Sequence, residues 1–150
     1  MTIQLARQIA AEAHKDQTDL AGQPYMKHVE RVAEAVVMYG DETVIVALLH
    51  DVVEDGAMTL GQLREQFSAK VVNAVAALTR DKQRSYRSYI ASLSSITLAR
   101  RVKMADLQDN LSRSHQLPQT QVNAERKLKY IHAALTLVNI ELHLHRGAKR

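Results

Sequence analysis

Apolar residues recur three and four positions apart along almost the whole chain, and stretches that alternate with period two over a strand's length are scarce. The pattern predicts an all-α fold: a compact helical bundle forming one domain over residues 1–150. A first helix is expected from Ile3 to Lys15, followed by a polar connection through Gly22. Pro24 then opens a second helix to Tyr39, since its missing amide does no harm in a first turn, and Gly40 ends it. A third helix starts at Asp41, carries Val44, Ile45, Ala47, Leu48 and Leu49, and is expected to continue through His50-Asp51-Val52-Val53-Glu54-Asp55 to Gly56. Thr59 with Gln62 has the form of a capping box for a short helix to Phe67, and Ser68 can cap another through Ala69 to Thr79. Further helices are predicted over Ser85–Leu93, Ile96–Ser112 and Thr120–His145, the last with Leu128, Ile131, Leu135, Val138 and Leu142 on one face.

Composition narrows the classes open to this chain. Its 150 residues are 46% apolar and 24% charged with five Gly and two Pro, the balance of a folded domain rather than a collagenous or disordered one. The absence of cysteine excludes a disulfide framework, a thiolate metal site and a cysteine nucleophile, so a bound metal must be held by His and carboxylates. It also points to a cytoplasmic protein. No apolar run reaches a membrane-spanning length, and Met1-Thr2-Ile3-Gln4-Leu5 lacks the charged-then-apolar start of a signal peptide. The net charge of +4 owes three charges to Arg146, Lys149 and Arg150 in the basic end at 146–150, which leaves the body near neutrality. With aromatics at 4% and no Trp, the stacking platforms of single-strand binders are missing, so no nucleic-acid partner is expected.

Three anomalies carry chemistry. At the end of the third helix, His50 with Glu54 and Asp51 with Asp55 stand at the i, i+4 spacing that puts side chains on one helix face. They follow the core run Ala47-Leu48-Leu49, and charge at a core margin is unfavourable unless it is paired or binds a cation. Asp106 is set among Val102, Met104, Ala105 and Leu107, with Asn110 one turn on and Lys103 one turn back. His28 lies on the apolar side of the second helix. Two imidazoles and two carboxylates form a mixed nitrogen and oxygen set that suits Mn²⁺, Fe²⁺, Zn²⁺ or Co²⁺ better than Ca²⁺ or a thiolate-seeking metal. The same residues can also be read as a buried ion-pair network, Glu54 and Asp55 as a solvated helix end, and Asn110 as a helix-end cap.

These segments resemble, in order, those of the HD-domain metal-dependent phosphohydrolases, and within them the hydrolase domain of the alarmone-degrading enzymes, including the small stand-alone alarmone hydrolases. The matching stretches are Ala13-His14 to Gln17, Gly22-Gln23-Pro24-Tyr25-Met26-Lys27-His28, Leu49-His50-Asp51-Val52-Val53-Glu54-Asp55, Val102-Lys103-Met104-Ala105-Asp106 with Asn110, and Lys129-Tyr130, spanning about 6–135. The resemblance implies an HD-type bundle in which His28, His50, Asp51 and Asp106 bind a divalent metal, usually Mn²⁺. It implies that Glu54 and Asp55 position and activate the attacking water, and that the reaction removes the 3′-pyrophosphate of guanosine-3′,5′-bis(diphosphate) or its pentaphosphate. Phosphate-binding cations are expected among Lys103, Lys129, Arg80 and Lys82, with Asn110 and Tyr130 as further substrate contacts.

The departures from the family pattern are also specific. Asp19 and Leu20 occupy the place of an Arg-Lys pair that holds the nucleotide, Val29 replaces a Pro, Leu107 an Arg and Asp109 a His. The ligand positions are untouched, whereas recognition of guanine is in question, so another nucleotide is the alternative substrate. A more distant reading takes Thr59 to Leu78 as a helix-turn-helix DNA-binding unit, with Lys70, Asn73 and Arg80 as its contacts. The residues leave room for a homo-oligomer. His14 is expected to be structural or to support the site, and His115, His132, His143 and His145 to face solvent.

Overall fold

The computed structural model describes residues 2–147, and among them every named element is helical. The elements are α1 (Ile3–Ala13), α2 (Tyr25–Ala35), α3 (Asp41–Leu49), α4 (Leu60–Arg64), α5 (Ala69–Leu78), α6 (Tyr86–Ser92), α7 (Thr97–Ser112) and α8 (Gln121–Gly147), with 3₁₀ turns at Val37–Tyr39, Leu93–Ser95 and Ser114–Gln116. The all-α expectation therefore holds, and no helix among the described residues is long and apolar enough to cross a membrane. Lys149 and Arg150 of the basic end lie outside the described residues.

Local chemistry explains several boundaries. Thr2, Ser68 and Ser85 each cap a helix by accepting a backbone N–H three residues on. Thr59 and Gln62 form the reciprocal capping box, an arrangement worth about 1 kcal/mol at a helix start. Two boundaries differ from the periodicity. The second helix ends at Ala35 and continues as the 3₁₀ turn Val37–Tyr39, with Gly40 at φ 92° making the reversal that precedes α3. The third helix stops at Leu49. Residues 50–56 run as successive turns closed by Asp55 N–H to Asp51 O (2.9 Å), Gly56 N–H to Val53 O (3.1 Å) and Ala57 N–H to Val52 O (3.1 Å), with Gly56 at φ 79°. The chain leaves the core at this point: after His50 only Val52 stays buried, while Glu54 and Asp55 emerge into solvent and have no apolar face to extend a helix.

Helix α3 is the hub. Thr43 through Leu49 are all buried, because α1, α2, α5 and α7 pack around it, and a helix that is apolar on every side belongs at the centre of a bundle. Helix α8 lies outside, across α6 and α7. Its inward face is not the predicted one. Ala133 and Leu137 are buried, with Tyr130 and Ala134 packed beside them, whereas Leu128 and Leu135 are each 57% exposed and Val138 and Leu142 are also exposed. The small residues Ala133 and Ala134 let α8 approach the body closely, and Glu141 fixes its rotation by pairing with Arg100 (2.7 Å) and Arg101 (3.3 Å).

Candidate functional site

The first turn of α2, the middle of α7 and the C-terminal end of α3 converge on one cleft of about 370 Å³. His28 comes from the buried side of α2, His50 from the residue that ends α3, and Asp106 from the middle of α7, each at most 6% exposed. One ligand-type atom from each of these three lies within 4.8 Å of the others, which makes them a group able to hold a metal ion. Asp51 adjoins them, with Oδ2 3.0 Å from His50 Nε2, and it accepts a hydrogen bond from the Tyr25 hydroxyl. Three distant stretches of sequence thus meet at one point.

The hydrogen bonds around these groups fix which atoms face inward. His50 Nδ1 donates to the Ala47 carbonyl at 2.6 Å, which leaves Nε2 as the free position. That buried nitrogen makes no hydrogen bond, and the nearest carboxylate oxygen, Asp51 Oδ2, is 3.0 Å away. His28 Nδ1 lies 2.7 Å from Asp109 Oδ2, so its Nε2 is turned to Asp106 Oδ1 at 3.3 Å. Asp106 accepts from Lys103 Nζ on Oδ2 and from Asn110 Nδ2 on Oδ1, both at 2.7 Å. An unpartnered, buried imidazole nitrogen facing carboxylate oxygens is a fit for a divalent cation.

The electrostatics agree. Burial alone would lower the basicity of both imidazoles, but bonds and proximity to Asp106 and Asp109 push His28 up to about 9, and Asp51 and Asp106 raise His50. Burial opposes ionisation of Asp51, yet His50 and Tyr25 hold its carboxyl down to about 2. Asp106 is likewise held below the carboxylate range against burial, chiefly by Lys103 and His28. Burial pushes the Tyr25 hydroxyl well above its ordinary value, with Asp51 adding to the effect. The floor of the pocket therefore interleaves the Asp51 and Asp106 carboxylates with the His28, His50 and Lys103 cationic groups.

The remaining predicted residues separate into two groups. Glu54, Lys103, Asn110 and Tyr130 line the same cleft. Glu54 accepts the Arg80 backbone N–H on Oε2 at 3.2 Å. Asp55 is not among the lining residues and lies 3.7 Å from His14 Nδ1 on the far side of the turn. The predicted sharing of one helix face by His50 with Glu54, and by Asp51 with Asp55, is corrected accordingly, since no helix runs through them. Lys129 faces a neighbouring cavity with Tyr86 and His132, its ammonium 4.7 Å from the Tyr86 ring. Arg80 and Lys82 are also outside the cleft lining.

The loop before α2 explains the fate of Asp19. Its Oδ1 accepts both the Ala21 and Gln23 backbone N–H groups at 2.9 Å, and Gly22 at φ 79° closes the turn. The carboxylate is used by its own loop, while Leu20 projects into solvent at the mouth, 68% exposed. Among the cleft residues that escaped the sequence reading are Arg31 and Arg113, and Asp109 entered it only as a departure from the family pattern; Arg31 and Asp109 belong together. Each follows a candidate ligand by three positions, Arg31 after His28 and Asp109 after Asp106, and the i, i+3 relation that places them on the ligand's own helix face was the available signal. A larger groove of about 1140 Å³ between Tyr39, Asn73 and Thr97 contains none of the metal-binding candidates.

Residues 6–137 match the family model of the HD domain. A guanosine-3′,5′-bis(diphosphate) 3′-pyrophosphohydrolase of Aquifex aeolicus is 31% identical over 119 residues, covering 73% of this chain and 17% of that protein. An enzyme of the same description from Danio rerio is 39% identical over 79 residues, covering 49% of this chain and 44% of its own length. This chain thus spans a minor part of the relatives it matches. A solved structure described as a metazoan orthologue of SpoT that hydrolyses ppGpp superimposes with a TM-score of 0.74 at 24% identity, over 96% of this chain and 92% of that one, and so shares the fold.

Proposed function

The chain belongs to the HD-domain family, and on that premise we propose that it is a metal-dependent phosphohydrolase that removes the 3′-pyrophosphate of guanosine-3′,5′-bis(diphosphate) in the cytoplasm. The observation that carries this reading is the convergence of His28, His50 and Asp106 on one point in a cleft wide enough for a phosphorylated ligand. Those three residues would hold the ion, with Asp51 beside them as the fourth ligand and Mn²⁺ as the preferred metal; Fe²⁺, Zn²⁺ and Co²⁺ suit the same donor set. A divalent ion there supplies a Lewis acid for a phosphoryl oxygen and an acidified water for attack at neutral pH.

The other roles fall to this chain's own atoms. Glu54 spends Oε2 on the Arg80 amide, which leaves Oε1 to accept the proton lost by the attacking water. Asp55 supports that turn from the His14 side. Lys103, held over the Tyr89 ring and bonded to Asp106, sets positive charge at the cleft floor where phosphate oxygens carry negative charge. Asn110 orients Asp106, and Tyr130 offers a ring and hydroxyl to the substrate. Lys129 is the weakest of the proposed substrate contacts because it faces the adjoining cavity.

The test is direct: purified protein loaded with Mn²⁺ should release pyrophosphate from guanosine-3′,5′-bis(diphosphate). Stoichiometric metal with no release refutes the substrate assignment. A second reading keeps the site and changes the nucleotide. It is favoured by Asp19, whose carboxylate is committed to its own loop, and by the exposed Leu20, which together leave the mouth without a cation from that loop. A panel of nucleotide phosphates and pyrophosphates under the same conditions separates the two.

A further inference from the structure

The two imidazoles are oriented by different kinds of acceptor. His50 Nδ1 meets a backbone carbonyl of its own helix, that of Ala47, so its orientation comes with the fold of α3. His28 Nδ1 meets a side chain from another helix, Asp109 on α7, at 2.7 Å. That carboxylate is itself gripped by a fork: Arg31 Nε reaches Oδ1 at 2.6 Å and Arg31 Nη2 reaches Oδ2 at 2.9 Å. Asp109 is largely buried and Arg31 about one-third exposed, and both line the cleft. The planar guanidinium pairs with both carboxylate oxygens at once, which sets the plane of the carboxylate as well as its position.

Two consequences follow for His28. A carboxylate acceptor fixes Nδ1 as the protonated nitrogen and turns Nε2 toward Asp106 Oδ1, 3.3 Å away. It also makes that nitrogen a stronger donor to a cation than a carbonyl acceptor would. The Tyr25 and His50 rings, with centroids 5.2 and 5.6 Å from that of His28, pack beside the imidazole but supply no hydrogen bond that sets its tautomer.

We propose that Asp109 is a positioning residue for His28 and that Arg31 acts through Asp109, so that a three-member series from the cleft wall to the imidazole sets the metal affinity of the site. The proposal rests on His28 and His50 binding the metal. Arg31 is on this account not a free phosphate contact, despite its place on the cleft wall.

The experiment titrates metal-free protein with Mn²⁺, following the free ion by its electron paramagnetic resonance signal, beside a thermal melt of each metal-free variant. Asp109→Leu should weaken Mn²⁺ binding by about 10- to 100-fold. Asp109→Asn, which keeps the shape and an acceptor oxygen without the charge, should fall between it and the native protein. Arg31→Met should cause a smaller loss, and the double variant Arg31→Met/Asp109→Leu should bind no worse than Asp109→Leu alone, because the two act in series. His50→Ala tests the underlying reading separately: if it retains native Mn²⁺ affinity, the metal assignment fails whatever Asp109 does. If His50→Ala loses metal while Asp109→Leu melts lower but binds Mn²⁺ with native affinity per folded molecule, Asp109 only joins α2 to α7 and the proposal is overturned. Additive losses from Arg31→Met and Asp109→Leu overturn the series arrangement.

Discussion

The floor and the rim of the cleft are built on opposite plans. At the floor, His28, His50 and Asp106 are buried and bound by protein groups from their own or neighbouring helices: Asp109, the Ala47 carbonyl, Lys103 and Asn110. At the rim, Asp19, Leu20 and Glu54 sit on turns, and their fixed contacts are backbone amides of loops or none. Burial explains the contrast. Charge at the floor must be neutralised within the protein or by a bound cation, so its geometry is set before a ligand arrives. Water solvates the rim, so charge there needs no partner inside the protein.

The comparison breaks most sharply if a floor residue proves dispensable. Asp106→Ala should abolish metal uptake and turnover together and should cost about 3–5 kcal/mol, because buried Lys103 loses its partner. Metal content of the purified variant and its thermal melt check both outcomes. Glu54→Gln, at the rim, should lower kcat by about 10²- to 10⁴-fold while leaving Mn²⁺ binding unchanged, as single-turnover kinetics beside a metal titration will report.

A buried pair remote from the cleft sharpens the comparison further. Burial raises the Glu141 carboxyl, but bonds to Arg100 and Arg101 outweigh it and hold the group below its ordinary value. The stabilisation is therefore present above the unfolded carboxyl's pKa, near 4.3, and fades as the pH falls through the folded value. Glu141→Gln should lose about 2 kcal/mol at neutral pH, with the gap to native protein closing in acid and activity per folded molecule unchanged. The smallest effect is expected from Asp55→Asn, on the far side of the turn. Its kcat should fall less than tenfold, and its stability should change by no more than about 0.5 kcal/mol.

The bundle and the floor were legible because each follows from a regular element. The capping box at Thr59, the all-apolar run into Leu49 and the isolated Asp106 on α7 all carry their meaning in local spacing. The errors arose where tertiary packing overrode that spacing. Periodicity alone could not tell that the polar tract after Leu49 would leave the core and unwind, so the helix was extended to Gly56. On α8 two apolar stripes compete, and the choice went to the face carrying Ala133 and Ala134, whose small side chains permit close approach, while Leu128 and Leu135 were left outside. For Arg31 and Asp109 the i, i+3 spacing gives only a shared helix face with a candidate ligand; that the two pair with each other across α2 and α7 is a tertiary fact.

One proposed ligand, His50, sits where the most enclosed helix ends. Amide protons along α3 are walled off on every side, so their exchange with deuterated water should require opening of the whole bundle rather than local fraying. His50 is tethered to that same helix through the Ala47 carbonyl. Loss of a bound metal through displacement of His50 and global denaturation should accordingly share one rate, making metal release a clock for the lifetime of the native state.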